Sequence, residues 1–82
     1  MTQEQVKQWM QTGREIEFVY NEKRYSLCPF LTDKKEKWIS FCEFYQETLE
    51  VSSVEILWDK TYKDIKVSSI FESVPTAKVD VF

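Results

Sequence analysis

The chain has 82 residues, with 11 basic and 14 acidic side chains, no histidine, one glycine and two cysteines. Without histidine there is no Ser-His-Asp or Cys-His arrangement and no ordinary proton shuttle near neutral pH, and a single glycine makes neither a P-loop nor a dinucleotide-binding turn. A net charge of −3 is ordinary for a soluble domain, but residues 42–82 carry eight acidic and four basic groups, a field that disfavours a phosphate backbone as partner.

The spacing predicts a helix over Thr2–Thr12. Thr2 and Gln5 stand at the interval of a capping box, and Val6, Trp9 and Met10 form a narrow apolar stripe. Gly13 follows where a helix C-terminus favours left-handed backbone. From Arg14 to Tyr20 the period changes to two, with Ile16, Phe18 and Tyr20 on one face and Glu15, Glu17 and Val19 on the other. Asn21-Glu22-Lys23 reads as a compact turn into a second strand, Arg24–Phe30. Pro29 has no N–H to donate and points to a strand end or an edge.

Thr32–Glu36 is a polar connector. Lys37–Tyr45 is the most strand-like stretch. Its two faces, Trp38, Ser40, Cys42, Phe44 and Ile39, Phe41, Glu43, Tyr45, are both largely apolar, which predicts the centre of a sheet rather than a wet edge. Gln46-Glu47 turns the chain into an extended Thr48–Val51. Ser52 and Glu55 repeat the capping-box interval ahead of a two-turn helix with Val54, Leu57 and Trp58. Asp59–Lys66 reads as a charged linker. Ser68 or Ser69 caps a last short helix bearing Ile70, Phe71 and Val74, stopped by Pro75, and Lys78–Phe82 alternates as a terminal strand.

The fold class is therefore α+β. An N-terminal helix, a mainly antiparallel sheet of three to five strands, two short C-terminal helices and a terminal strand form one domain, residues 1–82. At this length the scaling of folded proteins gives about 5,200 Å² of surface. That allows one core and no deep enclosed pocket.

Gly13-Arg14-Glu15-Ile16-Glu17-Phe18, Tyr20, Tyr25-Ser26, Cys42-Glu43-Phe44 and Val51-Ser52-Ser53 before a helix resemble a group of small uncharacterised proteins of Gram-positive bacteria and their prophages. The resemblance implies a short helix, a hairpin, a strand and a C-terminal helical segment. It implies a bacterial or phage accessory protein and brings no assigned activity or catalytic residue.

No catalytic, cofactor-binding or metal-binding residue is assigned, and no cofactor is expected. Cys28 and Cys42 form no Cys-x-x-Cys pair and read as buried free thiols; a cross-strand disulfide is the alternative. Glu15 and Glu17 are the one carboxylate pair placed for acid–base or metal work. Arg14, Lys23 and Arg24 beside them favour a solvated, ion-paired sheet face instead. Asp59 and Asp64 lack the glycine and terminal glutamate of a calcium loop. Lys34, Lys35 and Lys37 are offset by Asp33 and Glu36. No apolar run suits a signal peptide or a membrane span, so the expected compartment is the cytoplasm and no membrane is a partner.

Aromatic residues make up 16% of the chain, more than a core of this size requires. The leading expectation is a non-enzymatic accessory module that acts by protein–protein contact or self-association. The alternatives are an acidic inhibitor that mimics nucleic acid, of phage origin, and a small hydrolase-like enzyme using a carboxylate.

Overall fold

Thr2 opens the first helix in the computed structural model, which describes residues 1–82. Its Oγ1 accepts from the Gln5 N–H at 3.2 Å and caps α1 (Gln3–Gln11). The reciprocal half of the capping box is not made. The Gln5 side chain instead accepts from the Thr76 hydroxyl at 3.0 Å and ties α1 to the distant end of the chain. At the other end Gly13 adopts φ +77°. Its N–H reaches the Met10 carbonyl, and that of Arg14 reaches Trp9. These two bonds form a Schellman motif, which relies on the freedom of glycine in the left-handed region.

Four strands follow as an antiparallel meander: β1 (Ile16–Tyr20), β2 (Lys23–Leu31), β3 (Lys37–Glu43) and β4 (Thr48–Val51). The first turn has two residues, not three. Asn21 and Glu22 both take positive φ, of 52° and 66°, as a primed hairpin turn requires, and Lys23 joins the ladder opposite Tyr20. β3 is interior, but the middle strand is β2, because a fifth strand, β5 (Asp80–Val81 near the C-terminus), adds to the far side of β1. The order is β4-β3-β2-β1-β5. Pro29 therefore lies inside the central strand. It is accommodated because β1 stops at the Ile16–Leu27 pair, so beyond Leu27 β2 is flanked only by β3.

Between β4 and β5 lie the helices α2 (Val54–Trp58) and α3 (Val67–Glu72). The cap of α2 is Ser53, one residue later than the spacing predicts, with its Oγ accepting from the Ile56 N–H at 3.2 Å. The expected linker contains a minimal hairpin, Thr61–Tyr62 against Ile65–Lys66. It turns on Lys63 and Asp64 at φ 50° and 68°. The α3 helix starts at Val67 with no side-chain cap, so Ser68 and Ser69 lie inside it. Its C-terminal end is met from afar: the Met1 amino group donates to Phe71 O in the last turn at 2.9 Å and also to Val74 O just beyond the helix.

All three helices pack on one face of the sheet. Val6 and Met10 of α1, Leu57 and Trp58 of α2, and Val67, Ile70 and Phe71 of α3 meet Ile16, Phe18, Tyr25, Leu27, Ile39, Phe41 and Val51 in a single core. Aromatic rings form its centre. Phe41 lies 5.6 Å from Tyr25, 5.2 Å from Tyr62 and 5.3 Å from Phe71, centroid to centroid. The Tyr62 hydroxyl stays satisfied in this layer: it accepts from the Glu43 N–H and donates to the Glu47 carbonyl. The total accessible surface is 5203 Å². The fold is the α+β arrangement read from the pattern, with the small hairpin added.

Candidate functional site

The opposite face of the sheet has no helix over it. Along each strand the buried residues alternate with half-exposed ones, and none of the outward residues of β1 to β4 is buried. The pairing register arranges the outward side chains in four rows. Val19, Arg24 and Phe44 make the first. Asp80, Glu17, Ser26, Cys42 and Thr48 make the second. Glu15, Cys28, Ser40 and Glu50 make the third, with Phe82 beside Glu15. Phe30 and Trp38 make the fourth.

The small residues Ser26, Cys28, Ser40 and Cys42 thus form a floor. Aromatic rings stand at both ends and carboxylates at both sides. Strand geometry makes this field about 14 Å wide from β1 to β4 and about 20 Å long from the first row to the fourth. Phe30, Trp38 and Phe44 are each half-buried, and Val19 is 53% exposed. The alternation that makes both faces of Lys37–Tyr45 apolar reflects a sheet covered on one side only. The strand expected at the sheet centre is interior, and Trp38, Cys42 and Phe44 on its outward side are half-buried.

Electrostatics on this face are uneven. Arg24 donates to Glu17 Oε1 and to Asp80 Oδ2, both at 2.8 Å, and its guanidinium lies 5.7 Å from the centre of the Phe44 ring. The hydrogen bonds to Asp80 and then Glu17 raise the Arg24 pKa further above its usual range. The pairing of Arg24 with the Glu15–Glu17 strand follows the ion-paired reading of the sequence. Glu15 and Glu50 have no ion-pair partner. Four outward carboxylates therefore face one guanidinium that is already doubly engaged.

Both cysteines are free and lie on this floor, half-buried rather than fully buried as expected. They sit diagonally on neighbouring strands: Cys28 is opposite Ser40, and Cys42 is opposite Ser26. Burial and then the nearby Glu15 carboxylate push the Cys28 thiol up, which keeps it protonated.

Tyr45 departs from its expected place in the strand Lys37–Tyr45, since β3 ends at Glu43. It occupies the β3–β4 turn at φ +66° and is 99% exposed, with its ring edge-on to Phe44 at 6.1 Å. Lys63 bridges the same corner, donating to Gln46 at 2.8 Å and Glu43 at 3.4 Å.

Clefts lie elsewhere. The smallest of three, about 160 Å³, lies where α1, the start of β3 and α2 meet, between Lys7, Met10, Lys37, Ile39 and Ser52–Glu55. Its charges already have partners. Lys7 pairs with Glu55 at 3.0 Å, and Lys37 Nζ donates to the Gln11 carbonyl at 3.1 Å. Its own backbone N–H and then Lys7 hold Glu55 below the usual carboxylate range, the opposite of a poised general acid. No cleft includes Glu15, Glu17, Cys28 or Cys42. No cluster of three cysteine or carboxylate groups is arranged to hold a metal ion. No helix is long and apolar enough to cross a membrane.

No protein-family model, curated protein or solved structure matches the chain.

Proposed function

We propose that the chain is a non-enzymatic binding module that engages another protein through the helix-free face of its sheet. The observation that carries this reading is the set Phe30, Trp38 and Phe44, half-buried around a floor of serines and cysteines with no helix above it, with the exposed Val19 at its end. Exposed apolar patches rimmed by polar groups mark contact sites on soluble proteins. Aromatic rings with few rotamers dominate the energy of such contacts. The face is flat and lacks a cleft, which suits a protein surface better than a small substrate. Two free thiols on it fit a reducing compartment, the cytoplasm.

The carboxylate-enzyme reading finds no support in the clefts. The nucleic-acid-mimic reading needs a phosphate-like row of carboxylates. Here Glu15, Glu17 and Asp80 gather at one side, around Arg24, and Glu50 stands alone at the other.

Affinity capture from the native host tests the proposal when wild type is compared with two variants. Trp38→Ser/Phe44→Ser alters the open face, and Ile56→Ser alters an exposed apolar position on the helical layer. Circular dichroism confirms that each variant is folded. The expected result is a partner retained by wild type and Ile56→Ser and lost by the double variant. Equal retention by all three, or none by wild type, removes the reading.

A further inference from the structure

We infer that the occupant of the open face is a single amphipathic α-helix of a partner protein, basic along both flanks, rather than a second copy of this chain. The inference rests on the binding reading above and specifies its partner. Width is the first argument. An α-helix with its side chains is about 10–12 Å across, and the carboxylates of Glu15 and Glu50 border a floor about 14 Å wide. Length is the second. The field between the Arg24–Phe44 end and the Phe30–Trp38 end is about 20 Å, which accommodates roughly 13 helical residues at 1.5 Å each. The floor is the third. Ser26, Cys28, Ser40 and Cys42 are small and leave room for a helix backbone to approach the sheet, unlike the inner face, where Phe18, Tyr25, Leu27 and Phe41 fill the space beneath α1 to α3.

Charge selects the flanks. Glu15 and Glu50 lie on opposite sides of the floor with no cation of their own, while Glu17 and Asp80 are engaged by Arg24. Lysine or arginine on both shoulders of a docked helix meets them, and the apolar stripe between rests on the thiols and rings. A second copy meets this face badly. It brings the same excess of carboxylates, and like charges placed face to face are repelled. Anionic nucleic acid and anionic lipid are repelled by the same carboxylates.

The test uses the full chain and two synthetic 14-residue helical peptides. Both have a leucine and tryptophan stripe; one carries lysine on both flanks and the other glutamate. Binding is followed by amide chemical shifts and by the rate at which Cys28 and Cys42 are alkylated. The lysine peptide is expected to slow alkylation of both thiols and to shift Ser26, Ser40 and Cys42. Glu15→Gln/Glu50→Gln is expected to weaken it about fivefold, the combined effect of two solvent-edge ion pairs. Glu4→Gln/Asp59→Asn, which removes the same charge from the helical side, is expected to change it less than about twofold. Equal binding of the glutamate peptide, equal effects of the two charge variants, or shifts confined to α1–α3 overturn the inference. A dimer seen by light scattering and broken by Trp38→Ser/Phe44→Ser also overturns it, by naming a second copy as occupant, yet leaves the open face as a docking surface. Loss of both readings together requires the capture result above to be indifferent to that same variant.

Discussion

The two faces of one sheet carry aromatic rings in alternate positions of the same strands and end in different environments. On the inner face Phe18, Tyr25 and Phe41 are buried under three helices, with Phe71 and Tyr62 reaching down from the helical layer and the small hairpin. On the outer face Phe30, Trp38 and Phe44 keep part of their surface in water. The comparison separates two uses of the same residue types. Rings on the inner face stabilise the chain as it stands, whereas those on the outer face have area still to bury.

The sharpest way to break this contrast is to truncate one ring on each side. Phe41→Ala is expected to cost about 3–5 kcal/mol, as removal of a fully buried phenylalanine does. Phe44→Ala is expected to cost about 1 kcal/mol, mostly its contact with Arg24. Urea unfolding of the two variants gives both numbers. Similar losses would mean that the outer rings belong to the core, and the docking argument would lose its ground.

Next in size is Tyr62→Phe, which removes the hydroxyl between the Glu43 N–H and the Glu47 carbonyl. A loss of about 1–1.5 kcal/mol is expected from two part-buried hydrogen bonds, measured by the same unfolding curves.

Alkali provides a subtler probe of the inner face. Burial raises the pKa of both Tyr25 and Tyr62 above the usual tyrosine value. The unfolded chain therefore gives up these protons first. Their contribution is fully present below the ordinary tyrosine pKa of about 10, and it is lost as pH rises through the raised folded values. Thermal midpoints recorded from pH 8 to pH 11 are expected to fall, and Tyr25→Phe is expected to fall less steeply than wild type.

The smallest effect belongs to the outer face. Asp80→Asn removes one arm of the Arg24 bridge, in which both side chains are more than a third exposed. It should change stability by no more than about 0.5 kcal/mol. A larger loss on urea unfolding would show that the ion cluster holds the sheet together.

Much of this was legible in the chain. Thr2 and Gly13 bracketed the first helix, Asn21 announced the first turn, and Val54, Leu57 and Trp58 marked the helical stripe that is buried. The misses have physical causes. Lys63-Asp64 turns a hairpin without glycine or asparagine, and each of its strands has only two residues, too short for a period to show. Tyr45 reads as strand because tyrosine favours one, yet it stands at a turn in left-handed backbone. The apolar run on both faces of residues 37–45 points to a sheet centre, and β3 is interior, but β2 is the middle strand because the C-terminal strand adds beyond β1. Nothing in sequence spacing distinguishes a ring that lies under a helix from one that keeps part of its surface in water. That distinction depends on where all three helices go.

The seam between β1 and β5 has only two ladder pairs, Ile16–Val81 and Glu17–Asp80. Strands β1 to β4 are neighbours along the chain and close with little loss of loop entropy, while β5 must return from the far end of the molecule. The meander should assemble first and this seam last, and amide exchange should be fastest there. A cut that removed the final strand would extend the unpaired edge of β1 from Phe18–Tyr20 to the whole strand, ready to pair with the same edge of a neighbouring molecule. For this protein, loss of a few C-terminal residues is thus a route to aggregation before it is a route to unfolding.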